Sequence, residues 1–209
     1  MDIVDPAIEA YLLRVTPERD PVVRDMERLG AERRFPIVGP LVGRLLHLQA
    51  LALRARRVFE CGSGFGYSAW WFATALPEGG EVTLTDGSAE NCGQAREFLG
   101  HAGLAERAVV RQGDALAILE QSAGPFDIIF CDIDKWQYPR VHPFLKSRLR
   151  VGGLFICDNM LWSGRVAGRE SDRDTQGVRE LTRLLYADPA LHTTIVPLRD
   201  GVSLSLRTA

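Results

Sequence analysis

The sequence predicts an α/β fold, a mostly parallel sheet with helices on both faces. Three observations predict it. Two continuous apolar runs, Phe126-Asp127-Ile128-Ile129-Phe130-Cys131 and Gly153-Leu154-Phe155-Ile156-Cys157, have strand length and no alternation, the pattern of strands covered on both sides. From Arg57 onward, strand-like runs alternate with helical stretches, as parallel crossovers require. A glycine cluster, Gly62-Ser63-Gly64-Phe65-Gly66, sits between the first strand and the next helix.

The elements follow in order. Residues from about Pro6 to Leu53 carry helical spacing, broken near Thr16-Pro17 and near Phe35-Pro36, where proline stops a helix. Arg57–Glu60 reads as the first strand and Ser68–Ala75 as the helix after the glycines. Glu81–Thr85 is the second strand, ended by Asp86-Gly87, and a helix runs from about Ala89 to His101. Ala108–Arg111 is the third strand, with Asp114 opening a helix. The two apolar runs are strands four and five. A helix from about Thr175 to Tyr186 leads to Thr193–Leu198 and Val202–Leu206, joined so tightly at Arg199-Asp200-Gly201 that the pair must be antiparallel. With no repeat, low-complexity segment or linker, residues 1–209 read as a single domain: a helical segment over 1–53 and a sheet core over 54–209.

Composition narrows the function classes. Hydrophobic residues at 46% and charged residues at 25% are globular values, and a net charge of -2 offers no global attraction to nucleic acid or acidic membranes. The start, Met1-Asp2-Ile3-Val4-Asp5, lacks a basic region followed by an apolar one, and no stretch has membrane-spanning length. The expected location is cytoplasmic, with no membrane partner. Cys61, Cys92, Cys131 and Cys157 lack metal-ligand spacing and read as buried, reduced thiols. The four histidines are scattered; only His142 falls near the acidic stretches.

Those stretches carry the chemistry. Strand four ends in Asp132-Ile133-Asp134-Lys135 and strand five in Asp158-Asn159. Ligands of open α/β sheets bind at the carboxyl edge of the strands, so Asp132, Asp158 and Asn159 should meet there as three hard oxygen donors. Lys135 would stand beside them as a base. The glycine spacing is G-x-G-x-G, and Glu60 at the strand end would repel a pyrophosphate. A cofactor with an amino group and a free ribose suits Glu60 and Asp86 better, and Gly113-Asp114-Ala115 could hold a purine. S-adenosylmethionine has those groups.

The chain also resembles the cation-dependent class I methyltransferases of the catechol and caffeoyl-CoA O-methyltransferase type, including their small bacterial relatives. The resemblance runs from about Pro36 to the C-terminus and rests on Val58-Phe59-Glu60-Cys61-Gly62-Ser63-Gly64-Phe65-Gly66-Tyr67-Ser68, on Asp132-Ile133-Asp134-Lys135 with Tyr138, on Asp158-Asn159-Met160-Leu161-Trp162-Ser163-Gly164, and on Asp200-Gly201. It implies a Rossmann-like, seven-stranded mixed sheet in the order 3-2-1-4-5-7-6, and a homodimer. It implies that Asp132, Asp158 and Asn159 hold a divalent cation, magnesium first, with calcium or manganese as alternatives. Glu60, Gly62, Ser68, Asp86, Asp114, Ala115 and Asp134 would serve S-adenosylmethionine. Trp162 and Ser163 would border a small hydroxylated aromatic acceptor, and Lys135 and Asp132 would act in catalysis.

Some positions depart from the family pattern: Val38, Ser88 and Val141 stand where polar or aromatic residues are common, and Arg199 where a glycine is common. Two other readings stay open. The acceptor could be 5-hydroxyuridine in tRNA, served by Arg140, Lys146, Arg148, Arg150, Arg165 and Arg169. Or the fold could bind the cofactor without catalysis, against which the intact Asp132, Lys135, Asp158 and Asn159 argue.

Overall fold

Asp-Pro pairs start the first two helices. Asp5 accepts a hydrogen bond from the Ala7 amide at 2.7 Å ahead of α1 (Pro6–Val15), and Asp20 accepts one from the Val22 amide at 2.8 Å ahead of α2 (Pro21–Arg33). In each, the side chain satisfies an otherwise orphaned amide and proline takes the first turn, where no N–H is needed. The computed structural model describes residues 3–209; Met1 and Asp2, part of the N-terminal stretch read above for a leader, lie outside them. α3 (Gly39–Ala52) completes the helical segment and packs on α4 (Tyr67–Ala75).

The remaining elements alternate as expected. β1 (Arg57–Cys61) precedes α4; β2 (Glu81–Asp86), α5 (Ala89–His101), β3 (Ala108–Gln112), α6 (Ala115–Gln121) and β4 (Phe126–Cys131) follow it. Then come α7 (His142–Arg148), β5 (Leu149–Cys157), α8 (Arg173–Ala187), β6 (Leu191–Val196) and β7 (Val202–Arg207). The sheet order is β3-β2-β1-β4-β5-β7-β6, with β7 antiparallel to both neighbours and the other pairs parallel. This is the expected order.

Two details differ from expectation. β5 starts at Leu149, ahead of Gly153, where the apolar run begins. α7 was not anticipated, because seven residues with a proline at the second position are too short to show a helical period.

A buried hydrophobic cluster covers each side of the sheet. One joins Val23, Met26, Val42 and Leu46 of the N-terminal helices to Val58, Phe130 and Ile156; the other contains Phe59, Cys61, Tyr138, Phe155 and Leu181. Trp70 and Trp71 belong to the first cluster. The parallel register sets Cys61, Cys131 and Cys157 abreast on β1, β4 and β5, and all four cysteines are buried and free. One residue further on, Gly62, Asp132 and Asp158 leave the sheet together. The ladder continues into them: the Asp132 amide donates to the Cys61 carbonyl at 2.9 Å, and the Asp158 amide to the Cys131 carbonyl at 3.2 Å.

Candidate active site

Gly62 lets the strand ends come this close. Its φ of +79° lies in the left-handed region, and a Cβ there would stand 2.3 Å from the Asp132 carbonyl oxygen. Any side chain would therefore push β1 and β4 apart at their tips. Beside this contact, Lys135 Nζ donates to Asp132 Oδ1 at 2.7 Å and to the Ile133 carbonyl at 3.3 Å. The amine also stands 5.2 Å from the Tyr138 ring centroid and 5.7 Å from that of Trp162. Burial alone would lower the Lys135 pKa, but the charge and hydrogen bond of Asp132 outweigh it and hold the amine protonated above its ordinary value.

Asp158 is buried, and its Oδ1 has no hydrogen-bond partner among the described residues. Desolvation and the nearby Asp132 charge push its pKa up to about 7. Tyr138 donates its hydroxyl proton to the Asp158 backbone carbonyl at 2.9 Å, which fixes the strand end from below. Asn159 follows in the left-handed region, φ +55°, and its amide donates to Asp200 Oδ2 at 3.3 Å. The Ser163 amide donates to the other Asp200 oxygen. The hairpin turn between β6 and β7 thus anchors the loop that carries Asn159, Trp162 and Ser163.

Two cavities meet here. One, of about 480 Å³, is lined by Gly62, Ser68, Asp86, Asp114, Ala115 and Asp134 among others. The second, of about 860 Å³, is lined by Asp158, Asn159, Trp162, Ser163, Arg199 and Asp200 among others. Asp132 and Lys135 line both, and so does the tripeptide Phe35-Pro36-Ile37 between α2 and α3. Asp86 is braced by the Gly64 amide at 3.0 Å, the Ser88 amide at 2.8 Å and the Asn91 side chain at 3.1 Å. Asp114 spends one oxygen capping α6 through the Ala117 amide at 2.8 Å.

Glu60 behaves differently from the other expected cofactor residues. It is fully buried and does not line the cavity; its carboxylate lies behind the wall, accepting from Ser63 Oγ at 2.8 Å and from Ser68 Oγ. Desolvation dominates the two serine hydrogen bonds and pushes its pKa up to about 8. His142 pairs with Asp188 at 3.0 Å and lines neither cavity. Of the departing positions, Val38 lines the smaller cavity and Arg199 the larger; Ser88 caps α5, and Val141 is buried in the core.

The profile of the O-methyltransferase family matches residues 19–208. The chain belongs to that family. A catechol O-methyltransferase of Niastella koreensis is 32% identical over 179 residues, covering 81% of each protein. A caffeoyl-CoA O-methyltransferase of Eucalyptus gunnii is 31% identical over 217 residues, covering 96% of this chain and 87% of the plant enzyme. The crystal structure of an O-methyltransferase from Bacillus cereus in complex with SAH superposes with a TM-score of 0.88 at 28% identity, covering 97% of both chains.

Within this O-methyltransferase the expected acidic edge and its neighbours come together as the strand ends require. The Phe35–Ile37 wall and the Asp200 anchor had no local signal beyond the Asp-Gly turn, because both act through contacts distant in sequence. Of the cations considered for an RNA surface, Arg165 stands 6.0 Å from the Trp162 ring centroid and pairs with Asp172, whereas Arg148 and Arg150 flank the start of β5, opposite Asp158, with Arg150 paired to Asp127.

Proposed function

We propose that this O-methyltransferase moves the methyl group of S-adenosylmethionine to one hydroxyl of a small catechol-like or phenolic acceptor, with a divalent cation held by Asp132, Asp158 and Asn159. The observation that carries the reading is the junction itself: Asp132 and Lys135 stand on the wall of both cavities. The smaller cavity would take the methyl donor and the larger one the acceptor. The SAH in the Bacillus cereus relative is what S-adenosylmethionine becomes after losing its methyl group, which supports the donor assignment.

The cation is tested by the donors present. Among the described residues no group of three His, Cys, Asp or Glu side chains is placed to hold a metal, so the reading needs the Asn159 amide beside the two carboxylates. All three offer hard oxygen, suited to magnesium, calcium or manganese rather than zinc. The unpartnered, buried Oδ1 of Asp158 and its repulsion from Asp132 are what a cation would relieve. A bound divalent cation supplies Lewis-acid stabilisation of the deprotonated acceptor oxygen, whose pKa as a free phenol is about 10.

The protein's own residues do the rest. Gly62, Ser68, Ala115 and Asp134 shape the donor cavity, Asp114 contributes there with the oxygen not spent on the helix cap, and Asp86 is pre-braced for ribose hydroxyls. Glu60 acts from behind the wall, orienting the Ser63 and Ser68 hydroxyls that line the donor cavity. Trp162 and Ser163 border the acceptor. Lys135 Nζ, at the junction of the two cavities, would take the hydroxyl proton after releasing its own to solvent. Positioning of the reactants between these walls contributes several kcal/mol of barrier reduction.

The test is methyl transfer from labelled S-adenosylmethionine to catechol, with EDTA and with magnesium restored. The expected result is loss with EDTA and recovery with Mg2+. Transfer indifferent to EDTA removes the cation from the reading; no transfer to any catechol or phenol removes the acceptor class.

A further inference from the structure

Arg199 is an oddity of this chain. It occupies the β6–β7 turn at φ +50°, a conformation glycine adopts more readily, at a position where the family resemblance leads one to expect glycine. The turn itself gains nothing from an arginine, so the reason lies in the side chain. That side chain lines the larger cavity, and Nη1 donates to the Ile37 carbonyl at 2.8 Å. It lies against Gly39, whose absent Cβ would stand 2.6 Å from Nη1. The guanidinium is therefore held on one edge by backbone; its charge acts on the Asp158 carboxylate, but no carboxylate among the described residues lies within ion-pair distance of it. The adjacent Asp200 is occupied with the Ser163 and Asn159 amides instead.

Arg199 is thus an anchored cation facing a cavity whose other basic members are Lys135, already paired with Asp132, and the exposed Arg34. The same cavity is lined by Glu9, Glu27, Asp132, Asp158 and Asp200. A single small anion directed at Arg199 fits this one anchored guanidinium. A planar guanidinium with free N–H donors matches a carboxylate best.

We propose that Arg199 is a specificity-determining residue that selects vicinal dihydroxyarenes bearing a carboxylate, whose acid group meets the guanidinium while the hydroxyls face Asp132, Asp158 and Asn159. The proposal rests on the reading of the larger cavity as the acceptor site.

The experiment is calorimetric titration of the full chain, with Mg2+ and S-adenosylhomocysteine present, using 3,4-dihydroxybenzoate and its neutral counterpart 4-methylcatechol. The wild type should bind the acid about tenfold more tightly than the neutral probe. Arg199→Gln should bring the ratio of affinities close to one, and Arg199→Lys should leave it in between. Equal affinities in the wild type, or a ratio that survives Arg199→Gln, overturns the proposal. So does a variant that weakens Mg2+ binding while the ratio stays put, since Arg199 would then serve the cation site. Equal affinities with methyl transfer to both probes intact sinks this inference alone. Neither binding nor transfer of either probe overturns the proposed function, and this inference with it.

Discussion

At Lys135 a flexible side chain is fixed by its surroundings, with the amine held by Asp132 and flanked by the Tyr138 and Trp162 rings. A base that touches the reacting proton contributes about 10²- to 10⁴-fold. Lys135→Met should therefore lower kcat by about that factor while the KM for the methyl donor changes little, as read by steady-state kinetics. Glu60 makes a second prediction, about stability. Its folded pKa of about 8 lies above the ordinary 4.5, so between these values the folded protein holds a proton that the unfolded chain has released. That contribution is complete below the lower value and is lost as pH rises through the upper one. Glu60→Gln removes the dependence. Its melting temperature relative to wild type should climb as pH goes from 5 to 9 in scanning calorimetry of the ligand-free protein; a flat difference would show that Glu60 ionises freely in the fold.

Among the elements, Asp127 shows how a strand start can be pinned. It accepts from the Arg56 and Arg57 amides, both at 2.8 Å, and from the Arg150 guanidinium, so one carboxylate ties the beginnings of β1, β4 and β5. Partial burial opposes ionisation, but these donors prevail and keep its pKa below the usual carboxylate range. Asp127→Ala should destabilise the fold by about 1–3 kcal/mol in urea titration. α8 reaches the site through packing. A Cβ on Gly177 would stand 2.2 Å from the Lys135 carbonyl oxygen, so Gly177→Ala must shift that backbone. The expected outcome is reduced kcat without loss of the folded state by circular dichroism. Neither contact is written locally, since each joins residues far apart in the chain. What was legible was periodicity and termination. Apolar runs that end in acids revealed β4, β5 and their Asp132, Asp158 and Asn159 tips, whereas the side of β1 to which Glu60 points depends on pairing. Glu60 is set beside Phe130 by the register, and that turns its carboxylate behind the serines rather than into the cavity.

For the molecule as a whole, the sheet order was accessible because parallel strands joined by helices admit few arrangements, and the resemblance selected one of them. The N-terminal helices were legible as helices but not as cavity wall. Their packing through Val23, Met26 and Val42 on the same cluster as Val58 carries the α2–α3 connection onto the acidic edge. No helix among the described residues is long and apolar enough to cross a membrane. The tripeptide Phe35-Pro36-Ile37 faces both cavities, so under the proposed assignment it would make the two occupants thermodynamically interdependent. A ligand that settles this strip from one side leaves less ordering for the other ligand to accomplish, so heterotropic cooperativity is expected, and reciprocity obliges it to be equal in both directions. Titrating catechol with and without S-adenosylhomocysteine, and the reverse, should give one common factor of about fivefold or more. A factor of one would mean that the strip is already rigid. With positive cooperativity, the spent donor would hold the methylated product in place, and departure of one would hasten that of the other.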